Sequence, residues 1–243
     1  MKIFTLFFII GLTILEAKMS ARAIIYSVDR TVISAEISGN IIHLVNEEGE
    51  YFKKGKLLAK IDCAIYEAQK KKIKVQKKIS YLQMQKNVAL EKLNSIGKFE
   101  VLISKEEYNK QSAELDIVSV NVSRCSIFAP FDGKVVEKKA NLFQSVKPQQ
   151  ELLEIIGINN LEAKVIIPAI WLSKLKKGDK FTLTIDETGA DIKAIVQEIG
   201  AVVDPTSQTV SINARLLKPY KNIIAGMSAT AKFNTTDTKG LTK

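Results

Sequence analysis

Between Ile33 and Asp62 apolar and polar residues alternate with a period of two, broken by a turn signal at Glu48-Gly49. That is the pattern of short, half-buried strands. It returns further along the chain. An offset of 94 residues carries Ser34-Ala35-Glu36-Ile37-Ser38-Gly39-Asn40-Ile41 onto Phe128-Ala129-Pro130-Phe131-Asp132-Gly133-Lys134-Val135. Without a gap it then carries Phe52 onto Val146, Leu58 onto Leu152 and Ile61 onto Ile155. Two such stretches predict one small β-unit built from two similar halves. The matched glycines mark tight turns or close backbone approaches.

Between the halves the period changes to heptads. Read from Ile65, the a and d positions are Ile65, Ala68, Lys72, Val75, Ile79, Leu82, Lys86, Ala89, Leu93 and Ile96, and eight of these ten are apolar. This predicts a coiled-coil seam, with the lysine-rich stretch Lys70 to Lys78 mainly on the solvated face. Gly97 marks the end of the first helix. Ser104 and Glu107 form a capping box that starts a second, whose seam runs Tyr108, Gln111, Leu115, Val118, Val122 and Cys125. Lys98 to Ile103 is then either extra helix or a long tip loop. The β-halves bring the outer helix ends together, so the two form an antiparallel hairpin, with a first helix of about 45–50 Å.

After Ile156 strands return at Leu161 to Ile167, Lys180 to Ile185, Ile192 to Val203, Thr209 to Leu217 and Ser228 to Phe233, with a short helix over Pro168 to Leu175. Several short strands and one small helix predict a compact β-barrel.

The N-terminus adds a compartment. Lys2 precedes an apolar run from Ile3 to Leu15, and small residues follow at Ala17, Ala21 and Ala23. The run is short for a bilayer span and right for a secretory signal. Cleavage after Ala17 or Ala21 fits, with an uncleaved N-terminal anchor as the alternative. The net charge of +10 would suit an anionic partner, but it concentrates in Lys70, Lys71, Lys72, Lys74, Lys77 and Lys78. No aromatic side chains interleave there to stack bases, which argues against nucleic acid. Chemistry for an enzyme is lacking. The single histidine, His43, sits in a predicted strand. There is no metal-ligand spacing, no Gly-rich phosphate loop and no nucleophile–base pair. Catalytic, cofactor and metal residues are therefore expected to be none. Asp186-Glu187 reads as a solubilising turn, and Trp171 as packing for the short helix.

The order of these parts resembles the periplasmic adaptor family, also called membrane-fusion or HlyD-like proteins. The resemblance covers nearly the whole chain after the signal. It rests on Ile33 to Gly39 and Glu48 to Asp62, on Ile127-Phe128-Ala129-Pro130-Phe131-Asp132-Gly133-Lys134-Val135, on Val202 to Val210, and on Ala225-Gly226-Met227-Ser228-Ala229. It implies a mostly β fold: a split lipoyl/biotinyl-like unit interrupted by an antiparallel coiled-coil hairpin and followed by a small β-barrel. The expected division is a signal over 1–21, lipoyl-like halves over 22–62 and 126–158, the hairpin over 63–125, the barrel over 159–234 and a polar tail over 235–243. The implied role is an adaptor in the periplasm, exported by the signal or held by it at the inner membrane. Such an adaptor forms a homo-oligomeric ring and bridges an inner-membrane transporter, proton-driven or ATP-driven, to a TolC-type outer-membrane channel.

In this family the hairpin tip meets the channel, which points here to Leu93, Ile103, Ser104, Glu107 and Tyr108. The family's usual tip arginine is absent; Lys92 is the nearest basic residue, and the spacing is one residue longer. Adaptors of drug pumps also carry a membrane-proximal β-domain after the barrel, whereas about ten polar residues follow Phe233 here. The lead Ala23 to Val32 is expected to want for a partner strand. In a split lipoyl-like unit the hairpin's two ends are neighbouring strand ends. Cys63 and Cys125 stand at those ends, and an exported chain favours a disulfide between them; two reduced, buried thiols are the alternative. The competing function is a biotin or lipoate carrier domain. It would need an exposed lysine in the turn that joins the halves, and the coiled coil replaces that turn.

Overall fold

The structure is a computed structural model that describes residues 19–45, 47–218, 220 and 222–233. The expected signal segment up to Lys18 and the polar tail 235–243 lie outside the described residues. In chain order the strands are β1 (Met19–Ser27), β2 (Arg30–Ser34), β3 (Gly39–Leu44), β4 (Tyr51–Phe52) and β5 (Leu57–Ile61). Helices α1 (Ala64–Lys92) and α2 (Lys98–Ser123) follow, then β6 (Ser126–Phe128), β7 (Gly133–Lys138), β8 (Ser145–Val146), β9 (Glu151–Gly157) and β10 (Leu161–Pro168). A 3-10 helix (Ala169–Ser173) leads to β11 (Lys180–Ile185), β12 (Asp191–Ile199), β13 (Thr209–Leu216) and β14 (Ser228–Phe233). The chain divides into two compact units, one made from residues before Asp29 and after Asn160, the other from Asp29–Asn160.

The second unit shows why the 94-residue repeat exists. It holds two four-stranded sheets, β2-β9-β7-β4 and β6-β5-β3-β8. Adding 94 to the residues of the first half turns one sheet's pairing into the other's. Gly39 faces Val146 as Gly133 faces Phe52. Ile41 faces Ile61 as Val135 faces Ile155, and Lys60 faces Ser126 as Glu154 faces Val32. Each half lends its short strand, β4 or β8, to the sheet of the other. The inward positions Ile41, Phe52, Leu58, Ile61, Leu152 and Ile155 are fully buried between the sheets. Alternation therefore survives because one face of each sheet forms the core and the other meets water.

The first unit is a closed antiparallel barrel in the order β1-β10-β13-β12-β11-β14. Its interior mixes alanines (Ala23, Ala163, Ala194, Ala214, Ala229, Ala231) with Ile25, Val165, Leu183, Ile185 and Ile212, all buried. Small residues leave room inside a narrow barrel for the large ones. Phe181 stacks on Phe233 with ring centres 4.5 Å apart. The observed barrel strands follow the sequence pattern, and the short helix is a 3-10 turn.

The structure corrects the start of the first lipoyl-like half. Residues 22–27 belong to β1, which closes the barrel between β10 and β14. The lead thus has two partner strands. Its alternation, with Ala21, Ala23, Ile25 and Ser27 inward, carries no mark of which sheet it joins.

Two helix expectations are also corrected. α2 begins at Lys98 with Gly97 as its N-cap, so Ser104 and Glu107 lie inside the helix and cap nothing. Ser104 is buried, and its hydroxyl donates to the Val101 carbonyl. The seam of α1 is rotated by about one residue. The side facing α2 carries Tyr66, Lys70, Ile73, Lys77, Ser80, Met84, Asn87 and Glu91, while Ile65, Val75, Ile79 and Leu82 are 53–63% exposed. The rotation is set at the helix base. Tyr66 packs on the sandwich core and donates its hydroxyl to the Ser38 carbonyl, 3.2 Å away. Ser80 and Ser104, one from each helix, are small enough to let the backbones approach. Lys77 passes its stem along the seam and holds its ammonium 5.6 Å from the Tyr108 ring centre.

Candidate functional site

In the inserted unit the candidate surfaces are those of the hairpin. At its base the structure joins Cys63 to Cys125 by a disulfide with Cα atoms 5.8 Å apart, inside the ordinary range for such a bond. Both cysteines pack in the sandwich core. Ile61 donates its amide to the Cys125 carbonyl, and Arg124 pairs with Glu36 at 3.0 Å. The two helices therefore leave the sandwich from one fixed point. Beside that point lies an open groove between edge strands β2 and β6, lined by Val32, Ile33, Val120, Arg124, Ile127 and Phe128.

At the other end the chain reverses between Lys92 and Lys98. Leu93 caps α1 and is 72% exposed; Asn94 takes a positive φ of 54° to turn the chain. Phe99, in the first turn of α2, is also exposed. Leu93 alone of the five expected tip residues stands at the reversal. Ile103 faces outward on α2. Ser104 and Tyr108 lie in the seam, where the Tyr108 ring meets Tyr81 at 5.6 Å. Tyr108 sits about 15 Å below the start of α2 at 1.5 Å per residue. Glu107 is exposed, and hydrogen bonds from Gln111, with Lys110 nearby, hold its carboxyl below the usual range. The structure thus brings together Ser104 and Tyr108 and separates them from Leu93.

The feature that the sequence reading missed is the outer face. Opposite its seam, α1 presents Ile65, Ala68, Val75, Ile79 and Leu82 at heptad spacing, broken by Lys72 and Lys86. Opposite its own, α2 presents Phe99, Ile103, Ala113, Ile117 and Val120. Each helix thus carries two stripes. The signal was present as apolar residues outside the α2 seam, in two runs with spacings of four or three, Phe99-Ile103 and Ala113-Ile117-Val120, which a lone pair of helices has no use for. The helices also differ in charge: α1 has eight lysines and two acids, α2 three lysines and five acids. Among the described residues no cluster of side chains could hold a metal ion, and no helix is long and apolar enough to cross a membrane.

A two-fold split sandwich with a helical hairpin inserted between its halves, joined to a small closed barrel, defines the structural class of the membrane-fusion adaptors. The family model described as RND MFP, barrel-sandwich hybrid domain matches residues 30–167, and the chain belongs to that family. An uncharacterised protein of Haemophilus influenzae is 24% identical over 184 residues, which cover 75% of this chain and 48% of the relative. This chain therefore spans about half the length of that relative. Among solved structures, a MacA–MexA chimera containing the Pseudomonas aeruginosa MexA α-hairpin domain is similar with a TM-score of 0.75 at 20% identity, covering 88% of this chain and 80% of the chimera. An efflux transporter protein of Bacteroides eggerthii has a TM-score of 0.73 at 21% identity, covering 88% of this chain and 68% of its own. The family consists of structural adaptors of the periplasm and not of enzymes.

Proposed function

We propose that this chain is the adaptor of a tripartite export system. It would link an inner-membrane transporter to a TolC-type outer-membrane channel by assembling side by side into a ring with its hairpins upright. One observation carries the reading: each helix of the hairpin has a second apolar stripe, turned away from its partner helix. Identical faces would repel, lysine against lysine on α1. The α1 face of one copy and the α2 face of the next are opposite in charge. Cys63 opposite Cys125 and Tyr81 opposite Tyr108 set the levels along the hairpin, so unshifted neighbours bring Lys72 level with Asp116. A contact between two different faces is heterologous and repeats until it closes on itself. A carrier domain has no use for such stripes, and the place of its modified lysine is taken by residues 63–125.

The test is a pair of face variants. Ile79→Glu with Leu82→Glu spoils the α1 face, and Ile117→Glu with Val120→Glu the α2 face. Each should reduce the assembly to monomers in native mass spectrometry without loss of helical circular dichroism. Mixed together, the two variants retain one good face each and should stop at a dimer. Assemblies of unchanged size would refute the reading. For the tip, a photo-crosslinker at Leu93 or Phe99 should capture an outer-membrane channel; capture of inner-membrane proteins alone would reverse the proposed orientation.

A further inference from the structure

The barrel has two unlike ends. At one, Ser27 and Leu161 lead to the other unit. At the opposite end β1, β11 and β13 begin, β10, β12 and β14 finish, and two loops close the top: the 3-10 helix with residues 174–179, and residues 200–208. This second end exposes large apolar side chains on well-braced supports. Ile170 is 80% exposed and Val202 is 78% exposed. The 3-10 helix is anchored from inside by Trp171, which meets Phe233 edge-on at 6.0 Å, and by the buried Leu175. Ile170 is thereby left outside.

The neighbouring loop is pinned in turn. The Asp204 carboxylate accepts the amides of Thr206 and Ser207, Asp204 bridges to Thr209, and Ala169 donates its amide to Gln208. These are fixed apolar tips, where slack loops would fold their apolar residues inward. Around them stand the exposed lysines Lys174, Lys176, Lys177 and Lys180. Among the described residues, the loop carboxylates at this end, Asp179 and Asp204, are turned to the amides of their own turns, and Glu198 is exposed near the finish of β12. In sequence, only residues 16–18 separate the apolar run 3–15 from Met19, where β1 starts at this same end.

We propose that this end of the barrel docks on a membrane surface of anionic lipid, with Ile170 and Val202 in the acyl boundary and the four lysines at the phosphates. The observations favour a lipid surface over a protein groove. The tips stand on two separate loops, and a fluid surface accepts separate tips without a matching shape. Apolar wedges ringed by lysines are the combination that adds insertion to attraction for anionic headgroups. The inference is independent of ring assembly, since it concerns a different unit of the chain.

The single tryptophan reports on it directly, because Trp171 adjoins Ile170. Full-length protein is mixed with vesicles of phosphatidylcholine, alone or with phosphatidylglycerol, carrying brominated acyl chains. Anionic vesicles should quench Trp171 fluorescence and neutral ones should not. Ile170→Ser with Val202→Ser should abolish the quenching while leaving thermal unfolding unchanged. Lys176→Ala with Lys177→Ala should weaken partitioning by about fivefold per lysine. Binding to vesicles with Trp171 unquenched would place the contact elsewhere on the chain and overturn the proposal. So would an absence of binding, or quenching that survives the Ile170/Val202 double variant. A photo-crosslinker at Val202 that captures protein and no lipid in cells would also overturn it, in favour of a protein partner.

Discussion

Gly133 shows how much rests on a missing side chain. A methyl group there would meet the Ile156 carbonyl oxygen and approach the Phe52 ring at 3.0 Å, with backbone on one side and a buried ring on the other. Its repeat mate Gly39 meets the Ile61 side-chain end at 2.6 Å and the Asp62 carbonyl oxygen at 3.2 Å, and its backbone holds a φ of 157° that side chains rarely adopt. We therefore expect Gly133→Ala and Gly39→Ala each to cost about 1–3 kcal/mol in urea unfolding, the first from overpacking and the second from overpacking with backbone strain. An unchanged stability for either variant would show that its strand yields to the added methyl. Asp204 gives a residue-scale test in pH. Hydrogen bonds from the Ser207 amide and hydroxyl and the Thr206 amide hold its carboxyl below its ordinary value of 3.8. A lowered value means that the turn's contribution is present above the ordinary carboxylate range and is lost as pH falls through the lowered one. In an NMR titration the Thr206 and Ser207 amide signals should move together with the Asp204 carboxyl, with a midpoint below 3.8. A midpoint at or above it would remove the turn's grip on the loop that carries Val202.

For the hairpin, sequence and structure agree on two helices and disagree on their rotation. The α2 seam from Tyr108 to Cys125 could be read because apolar side chains fill the face that packs. The α1 seam could not, because α1 has two heptad stripes and the more apolar one faces outward. What turns the helix is its base: the disulfide, Tyr66 on the sandwich, and Arg124 paired with Glu36. These contacts are made at long range, and heptad counting does not see them. The start of α2 was misplaced for a related reason. Ser104 with Glu107 imitates a cap, but Ser104 is a small seam residue, and the turn before Lys98 needs only five residues. The disulfide closes a separation of 62 residues, which in the chain-entropy account is worth about 4 kcal/mol. Replacing both cysteines by serine should lower the unfolding free energy read from urea titration by up to that amount. Mass spectrometry of non-reduced protein should find no free thiol at either position. Two free thiols would mean that the base is held by packing alone.

On the scale of the whole chain, the unit Asp29–Asn160 is an insertion between the first and second strands of the barrel. Its ends are tied to each other, since Gly157 donates its amide to the Asp29 carbonyl at 2.6 Å. A fragment spanning 29–160 is therefore expected to fold alone, with one cooperative thermal transition. Residues 161–233 without β1 should not, because β10 and β14 would both become open edges. Folding of that second fragment would show that β1 is an accessory strand. The repeat made the inserted unit legible from its 94-residue offset, down to which residues face one another. The membership of β1 was not legible, because alternation defines a strand's faces and leaves its neighbours open.

The exchange of β4 and β8 between the two halves has a consequence in time. The first half cannot complete either of its sheets until β7, β8 and β9 exist, and these follow 94 residues behind. At ribosomal rates of about 5–20 residues per second the wait is on the order of 5–20 s. Throughout it the first half has nothing to close on, while the helices between, which need only local contacts, are free to form. A chain built this way has reason to stay extended until it is delivered whole, which is the condition a secretion channel imposes.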